Sequence, residues 1–241
     1  MTSDRAFEAP DLIEVMDEAV KYNRFLVEQL LAWSKGLGAV LDFGAGNGRF
    51  AIALHEQGVD VHAIEPDPDL RRKIGALGVR AYESLEALGG RRFDGIYTVN
   101  VLEHLEDDRA CLENFYRSLV AGGRLLTYVP AFDALFSAND ERVGHLRRYR
   151  KRTLVNKIRN AGFIVEQASY VDCIGFLAAL AYRSFGDEDG GLDIRTLRLY
   201  DRLLFPVSRV LDGALGQVFG KNLLVRAVRP DSLDSRGTRL S

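Results

Sequence analysis

A glycine-rich turn and an acid one element later are the residues with the clearest chemical reading. Gly44, Gly46 and Gly48 alternate with Ala45 and Asn47 directly after Ala39-Val40-Leu41-Asp42-Phe43, and Glu65 closes the next apolar run, Val59 to Ile64. Glycine allows tight turning and close approach of backbone to a ligand, since no Cβ intervenes. A helix beginning just after such a turn offers unpaired N–H groups, which suit a carboxylate. An acid at the end of the neighbouring strand can accept hydrogen bonds from both hydroxyls of a ribose. A lone glycine turn also serves packing alone; the acid in register favours a nucleoside site.

The second candidate is His145-Leu146-Arg147-Arg148-Tyr149-Arg150-Lys151-Arg152, which sets a run of cations ahead of a predicted helix. Cations oppose the dipole at a helix N-terminus, so helix stability does not explain them. Arg147 or Arg148 could fork onto a carboxylate or phosphate, and with Tyr149 they form the expected substrate-binding set. The alternative is a solvated charge run paired with nearby acids such as Asp140 and Glu141. Imidazole titrates near neutrality, which makes His145 the candidate catalytic base. Its rival role is a hydrogen bond that orders the loop. His104 is expected beside the ligand, whereas His55 and His62 carry no assigned role.

Other chemistries find little support. Arg49 stands where a dinucleotide fingerprint needs its third glycine, and no phosphate-binding G-x-x-x-x-G-K-[ST] run occurs. Cys111 and Cys173 are far apart and lack a Cys/His ligand cluster, so neither a disulfide framework nor a metal site is expected, and a reducing cytoplasm suits them. Net charge is −2 with 27% charged and 47% hydrophobic residues, which gives no bulk attraction to nucleic acid. The acidic N-terminal stretch does not read as a secretion signal, and the apolar run from Ile174 to Tyr182 is short of the ~20 residues a transmembrane helix needs. No signal specifies an oligomeric state.

These residues need a scaffold, and its pattern is an alternation of strand-like and helix-like segments from 39 to about 170, as in a parallel sheet with crossover helices. After the first two strands, Pro66 and Pro68 lead into a helix that stops at Gly78. Val79 to Ala81 and Phe93 to Val99 are the next strands. Asp107 or Asp108 caps a helix expected to end at Gly122-Gly123, before a fifth strand from Arg124 to Val129. Thr153 is expected to cap a short helix ending at Gly162, with Phe163 to Tyr170 and Leu223 to Val228 completing the strands. The expectation is one domain, 1–229, with a cofactor core at about 36–170, helical covers at about 11–34 and 171–221, and a frayed tail at 230–241. Arg195, Arg198, Arg202 and Arg209 form a stripe that suits an anionic membrane or lipid phosphate; the favoured alternative is a capping helix with arginines in water and Leu197, Tyr200, Leu204 and Leu211 on the core.

Val40 to Gly48 and Glu65 resemble the class I S-adenosylmethionine-dependent methyltransferases. Phe93 to Leu105 resembles the family's fourth strand and the loop beneath its cofactor, and Leu119 to Leu125 its turn before the fifth, with Ala121 in place of proline. Glu18 to Asn23 and Gly144 to Tyr149 are similar to bacterial members of the UbiE/UbiG-like broad group. The resemblance implies an α/β fold: a doubly wound, mostly parallel seven-stranded Rossmann-like sheet with helical cover insertions. It implies S-adenosylmethionine as cofactor, with Gly44 and Gly46 at the methionine, Glu65 at the ribose, Glu83, Ser84 and Leu85 bordering the adenine, and Asn100 at the methionine end. Tyr22, Asp42, Ala45, Pro66, Val101 and His104 complete the implied cofactor set. The expected reaction is methyl transfer to O, N or C of a small anionic or lipid-linked metabolite. An NAD(P)-dependent reductase and a non-catalytic nucleoside-binding module are the alternatives.

Overall fold

The computed structural model describes residues 17–185 and 194–231. The alternation inferred from sequence becomes α1 (Val20–Ser34), β1 (Ala39–Phe43), α2 (Arg49–Glu56), β2 (Asp60–Ile64), α3 (Pro68–Ala76), β3 (Arg80–Tyr82) and β4 (Phe93–Val99). It continues with α4 (Asp108–Ser118), β5 (Leu119–Pro130), the short α5 (Ala138–Arg142), α6 (Lys151–Asn160) and β6 (Ile164–Val171). The cover segment holds α7 (Cys173–Phe185), α8 (Ile194–Leu199), a π-helical turn at Tyr200–Leu204 and α9 (Phe205–Leu215), and β7 (Asn222–Val228) closes the sheet.

The seven strands lie in the order β3-β2-β1-β4-β5-β7-β6. All pairings from β3 to β5 are parallel, while β7 runs antiparallel to both of its neighbours. Strand β6 therefore points the same way as β5, and the carboxyl ends of β1, β4, β5 and β6 share one edge. Order reverses between β1 and β4, the place where such sheets bind ligands. Successive strand residues face opposite sides, so Leu41 and Ile96 pack with Phe115, Leu154 and Ile158, whereas Val40 and Tyr97 pack with Trp33, Leu54 and Ile74. A third cluster joins Phe25 and Leu26 of α1 to Phe205 of α9 and to Tyr128, Val171 and Leu224 of the sheet.

Three local expectations are corrected. Helix α4 ends at Ser118, and Gly122-Gly123 lies inside β5, where Gly122 N–H donates to Arg229 O and Arg229 N–H to Gly123 O. The glycine pair thus serves strand pairing instead of stopping a helix. Thr153 lies within α6, which begins at Lys151; the tertiary partner Tyr170 Oη accepts from Lys151 N–H at 2.9 Å and replaces a local cap. In the cover, Asp201, Phe205 and Ser208 face inward, while Leu199, Leu203, Leu204, Val207 and Val210 are exposed. Leu197 and Tyr200 face the cavity as expected, but beyond the π turn, which shifts the helical phase, Leu204 and Leu211 are exposed instead of on the core. Arg198 and Arg209 pair with Glu18 and Asp212, so they do not form a free stripe.

The covers are clipped to the core by carboxylates distant in sequence. Helix α1 has no side-chain cap of its own, and Asp201 supplies one by accepting from Lys21 N–H and Tyr22 N–H, both at 2.8 Å. Asp212 does the same for the start of α7, accepting from Asp172 N–H and Cys173 N–H.

One core group works against the fold at neutral pH. Burial, offset in part by the Tyr97 hydroxyl and reinforced by Glu65, pushes the Asp42 carboxyl up to about 7. The folded chain holds that proton where an unfolded aspartate has lost it, so this contribution to stability is complete below about pH 4 and fades as pH rises through 7. Asp42→Asn should remove this slope. Its stability relative to wild type should improve by roughly 2–4 kcal/mol between pH 4 and pH 8, measured by urea unfolding of the ligand-free protein. Parallel curves for the two proteins would contradict the burial argument.

Candidate active site

A cavity of about 440 Å³ opens at the carboxyl ends of β1, β4 and β5. Asp42, Gly44, Ala45 and Gly46 line one end, and His104, Asp140, His145 and Arg148 line another. Tyr22, Asn23 and Leu26 of α1 and Asp172, Tyr200 and Asp201 of the cover complete the walls. Helix α1, the loop after β5 and the 171–221 cover therefore contribute to one enclosure. A depression of about 480 Å³ at the opposite edge, around Gly36, Leu37 and Gly58, is lined by Ser34, Lys35, Gln57 and Asp60 and contains none of the expected site residues.

The glycine turn is built by close approach. Gly44 has φ +79°, and a Cβ there would lie 2.5 Å from Val101 Cγ2. Gly44 N–H and Ala45 N–H both donate to Ile64 O, which locks the turn to the end of β2. Glu65 is buried; one carboxylate oxygen accepts from Gly46 N–H at 2.7 Å and the other from Asp67 N–H at 2.9 Å. Each oxygen keeps a further acceptor position. Asp42 Oδ2 is buried without a hydrogen-bond partner, and Asp42 lines the cavity. An unsatisfied acceptor there fits a cationic donor such as the amino group of a methionine moiety.

Asn100 lines the cavity and takes φ +53° directly after β4, its N–H held by Tyr128 O. Asp172 takes φ +67° directly after β6. It also lines the cavity and accepts from Gly175 N–H, Ser208 Oγ and Tyr200 Oη. Left-handed backbone at non-glycine residues costs energy and tends to mark functional sites. Glu65, Pro66, Glu83, Ser84, Leu85 and Val101 lie outside the cavity wall, although Val101 packs on Gly44. Glu83 is exposed and 3.8 Å from Arg71, whose guanidinium also donates to Glu65 O.

Arg49 has a role that motif reading did not assign. Its guanidinium donates to Asn23 Oδ1 and pairs with Asp17, stapling the N-terminal cover to the glycine turn.

The 145–149 run divides. His145 lines the cavity, with Nδ1 2.7 Å from Asp140 Oδ1 and Nε2 3.7 Å from Glu103 Oε1. Arg148 also lines it, but two of its nitrogens grip the Asp140 carboxylate at 2.9 and 3.0 Å. Burial raises the Asp140 carboxyl, yet hydrogen bonds from His145 and Arg148 outweigh it and hold the group down to about 2. Arg147 and Tyr149 do not reach the cavity, contrary to the substrate-binding expectation. The Tyr149 hydroxyl donates to buried Asp108 at 2.7 Å and Arg147 Nη1 stands 3.3 Å from the same carboxylate, which Lys157 also binds. A buried carboxylate needs these donors, so they are structural.

Lys221, at the entry to β7, lines the cavity, and among the described residues its ammonium has no hydrogen-bond or ion-pair partner. Sequence reading passed over it, as it did Asp172, Asp201 and Glu103. Of these, only the acid directly after a strand end, Asp172, had a local signal; the others depend on contacts between remote segments. Asp140 was open to reading as the fourth residue of a Ser137-Ala138-Asn139-Asp140 capping box, which the structure forms.

Among known proteins, the family model described as a methyltransferase domain matches residues 16–168. An uncharacterized methyltransferase of Staphylococcus carnosus is 27% identical over 148 residues, 59% of this chain and 68% of that protein. A ubiquinone biosynthesis O-methyltransferase of Xylella fastidiosa is 34% identical over 96 residues, 36% of this chain, and the match spans 39% of that relative's length. A SAM-dependent methyltransferase from Archaeoglobus fulgidus shares the fold with a TM-score of 0.58 at 17% identity, covering 86% of this chain and 94% of that one. The 1,6-didemethyltoxoflavin-N1-methyltransferase of Burkholderia thailandensis, solved with S-adenosylhomocysteine, gives 0.59 at 20% identity, covering 92% and 83%. The matched domain takes in the glycine turn, Glu65 and the strand ends that frame the cavity, and the chain belongs to the methyltransferase domain family of class I S-adenosylmethionine-dependent fold.

Proposed function

We propose that this chain transfers the methyl group of S-adenosylmethionine to a small anionic or lipid-linked acceptor. The observation that carries this reading is the continuity of one cavity from the glycine turn to His104 and His145. When bound, the cofactor supplies an electrophilic methyl carbon, which bonds to the acceptor atom while the sulfur keeps the electron pair of the broken bond. Gly44, Ala45 and Gly46 hold the methionine part, with Asp42 and Asn100 beside it. Glu65 receives the ribose hydroxyls through its remaining lone pairs, and Pro66, Glu83, Ser84 and Leu85 border the adenine.

His145 takes the acceptor proton at Nε2. Its Nδ1 is engaged by Asp140, which fixes the tautomer with the lone pair on the other nitrogen. Arg148 fixes Asp140 in turn and so positions the base, instead of meeting the substrate's charge. Lys221, whose ammonium has no partner among the described residues, takes over that task. The cover excludes water and aligns the acceptor with the methyl carbon, the main requirement of such a transfer. The exposed leucines and valines of the cover favour a lipid-linked acceptor.

S-adenosylmethionine and S-adenosylhomocysteine should each raise the melting temperature, and NADH should not. Glu65→Ala should lose about 1.5–3 kcal/mol of S-adenosylhomocysteine affinity by calorimetry, the scale of hydrogen bonds to a charged acceptor. Wild-type affinity in the folded variant would remove Glu65 from the site.

On the acceptor side, Lys221→Met and His145→Ala should keep S-adenosylhomocysteine affinity within about 0.5 kcal/mol while methyl transfer to the acceptor falls. Unchanged turnover in both folded variants would refute the acceptor assignment. In flotation with phospholipid vesicles, wild type should bind and a Leu203→Glu, Val210→Glu variant should not; equal partition would argue for a water-borne acceptor.

A further inference from the structure

Glu103 is a buried acid directly before His104, which lines the cavity. Its side chain has no solvent exposure, and neither carboxylate oxygen has a hydrogen-bond partner. Leaving a buried polar group unpaired is costly, and a carboxylate more so; among the described residues no hydrogen bond meets this one, and His145 Nε2 stands 3.7 Å from Oε1.

Two histidines converge on that carboxylate. Donor atoms of Glu103, His104 and His145 all lie within 4.8 Å of one another. The two rings meet edge to face at 4.7 Å. Asp140 engages His145 Nδ1 at 2.7 Å, and Gly144 O lies 3.2 Å from His104 Nδ1. Each imidazole thus has an acceptor on one nitrogen, which leaves the lone pair on the other. An outer carboxylate or carbonyl on the far nitrogen of a histidine is the usual support for metal ligation.

The backbone holds the cluster by joining two loops. Leu102–His104 forms a 3₁₀ turn after β4, and Leu146 N–H donates to Glu103 O while His145 N–H donates to Asp140 O, both at 2.8 Å. Gly144 takes φ +78° opposite the His104 ring.

We propose that Glu103, His104 and His145 bind one divalent transition-metal ion at the acceptor end of the cavity. Two imidazole nitrogens and one carboxylate oxygen favour zinc, cobalt, iron or manganese over calcium or magnesium, which prefer all-oxygen sites. Three protein ligands leave coordination positions open toward the cavity that His104 and His145 line. The inference rests on the methyl-transfer reading and deepens it: an acceptor hydroxyl on the ion loses its proton to solvent more readily, and His145 then serves as ligand instead of base.

The test uses protein dialysed against a chelator and then titrated with Co²⁺, followed by calorimetry and by the visible absorption of the bound ion. One equivalent should bind to wild type. Glu103→Gln and His104→Ala should each weaken binding at least tenfold, and Asp140→Asn should weaken it by about 10–100-fold through loss of the support to His145. S-adenosylhomocysteine affinity, measured on the same samples, should stay within twofold in Glu103→Gln. Absence of saturable Co²⁺ binding by folded wild type would overturn the proposal, as would undiminished binding in folded Glu103→Gln and His104→Ala. Failure of S-adenosylhomocysteine to bind, with the ion still bound, would instead overturn the methyl-transfer reading and leave the ion site standing.

Discussion

Asp140 must stay ionised in a place where it is only 2% exposed, and the acceptor end of the cavity is arranged around meeting that demand. Arg148 grips both of its oxygens, His145 meets one, and the Ser137 backbone and hydroxyl meet the other. Removing one partner of such a buried pair generally costs about 3–5 kcal/mol, because the remaining charge is left desolvated. The same bonds that satisfy the carboxylate set the ring of His145 and the path of the loop after β5. Arg148, whose composition suggests a ligand for anions, is thereby committed to the protein.

A second carboxylate, Asp108, does for the outside of this loop what Asp140 does for the inside. It takes the Tyr149 hydroxyl and Lys157 and stands beside Arg147, and the Tyr149 oxygen also lies 3.0 Å from Leu102 O. The loop after β4 and the loop after β5 are therefore one unit. This explains why Glu103 and His104 from one loop meet His145 from the other at fixed separation.

Topology does the remaining work. Because β7 enters between β5 and β6 in the antiparallel sense, β6 delivers Asp172 to the same edge as the glycine turn and Asn100. Asp201 and Asp212 then fasten the covers through backbone N–H groups that lack local caps. The π turn carries Tyr200 and Asp201 inward and the neighbouring leucines outward.

Much was legible from sequence where the physics is local. Glycines at 44, 46 and 48 sit at positive φ because the chain turns there, and Glu65 meets Gly46 because adjacent parallel strands end together. The mostly parallel seven-stranded sheet with flanking helices followed from periodicity and resemblance. The fates of the individual cations did not. Arg147, Arg148, Tyr149 and Lys221 have side chains suited to an anion, and only the position of the buried acids Asp108 and Asp140 decides which are spent on the fold. Thr153 and the glycine pair at 122–123 misled for the same reason, since Tyr170 and Arg229 satisfy those backbone groups from remote segments. Local propensity reports what a residue can do; the choice among its options belongs to whichever buried, desolvated partner tertiary packing brings within hydrogen-bond reach.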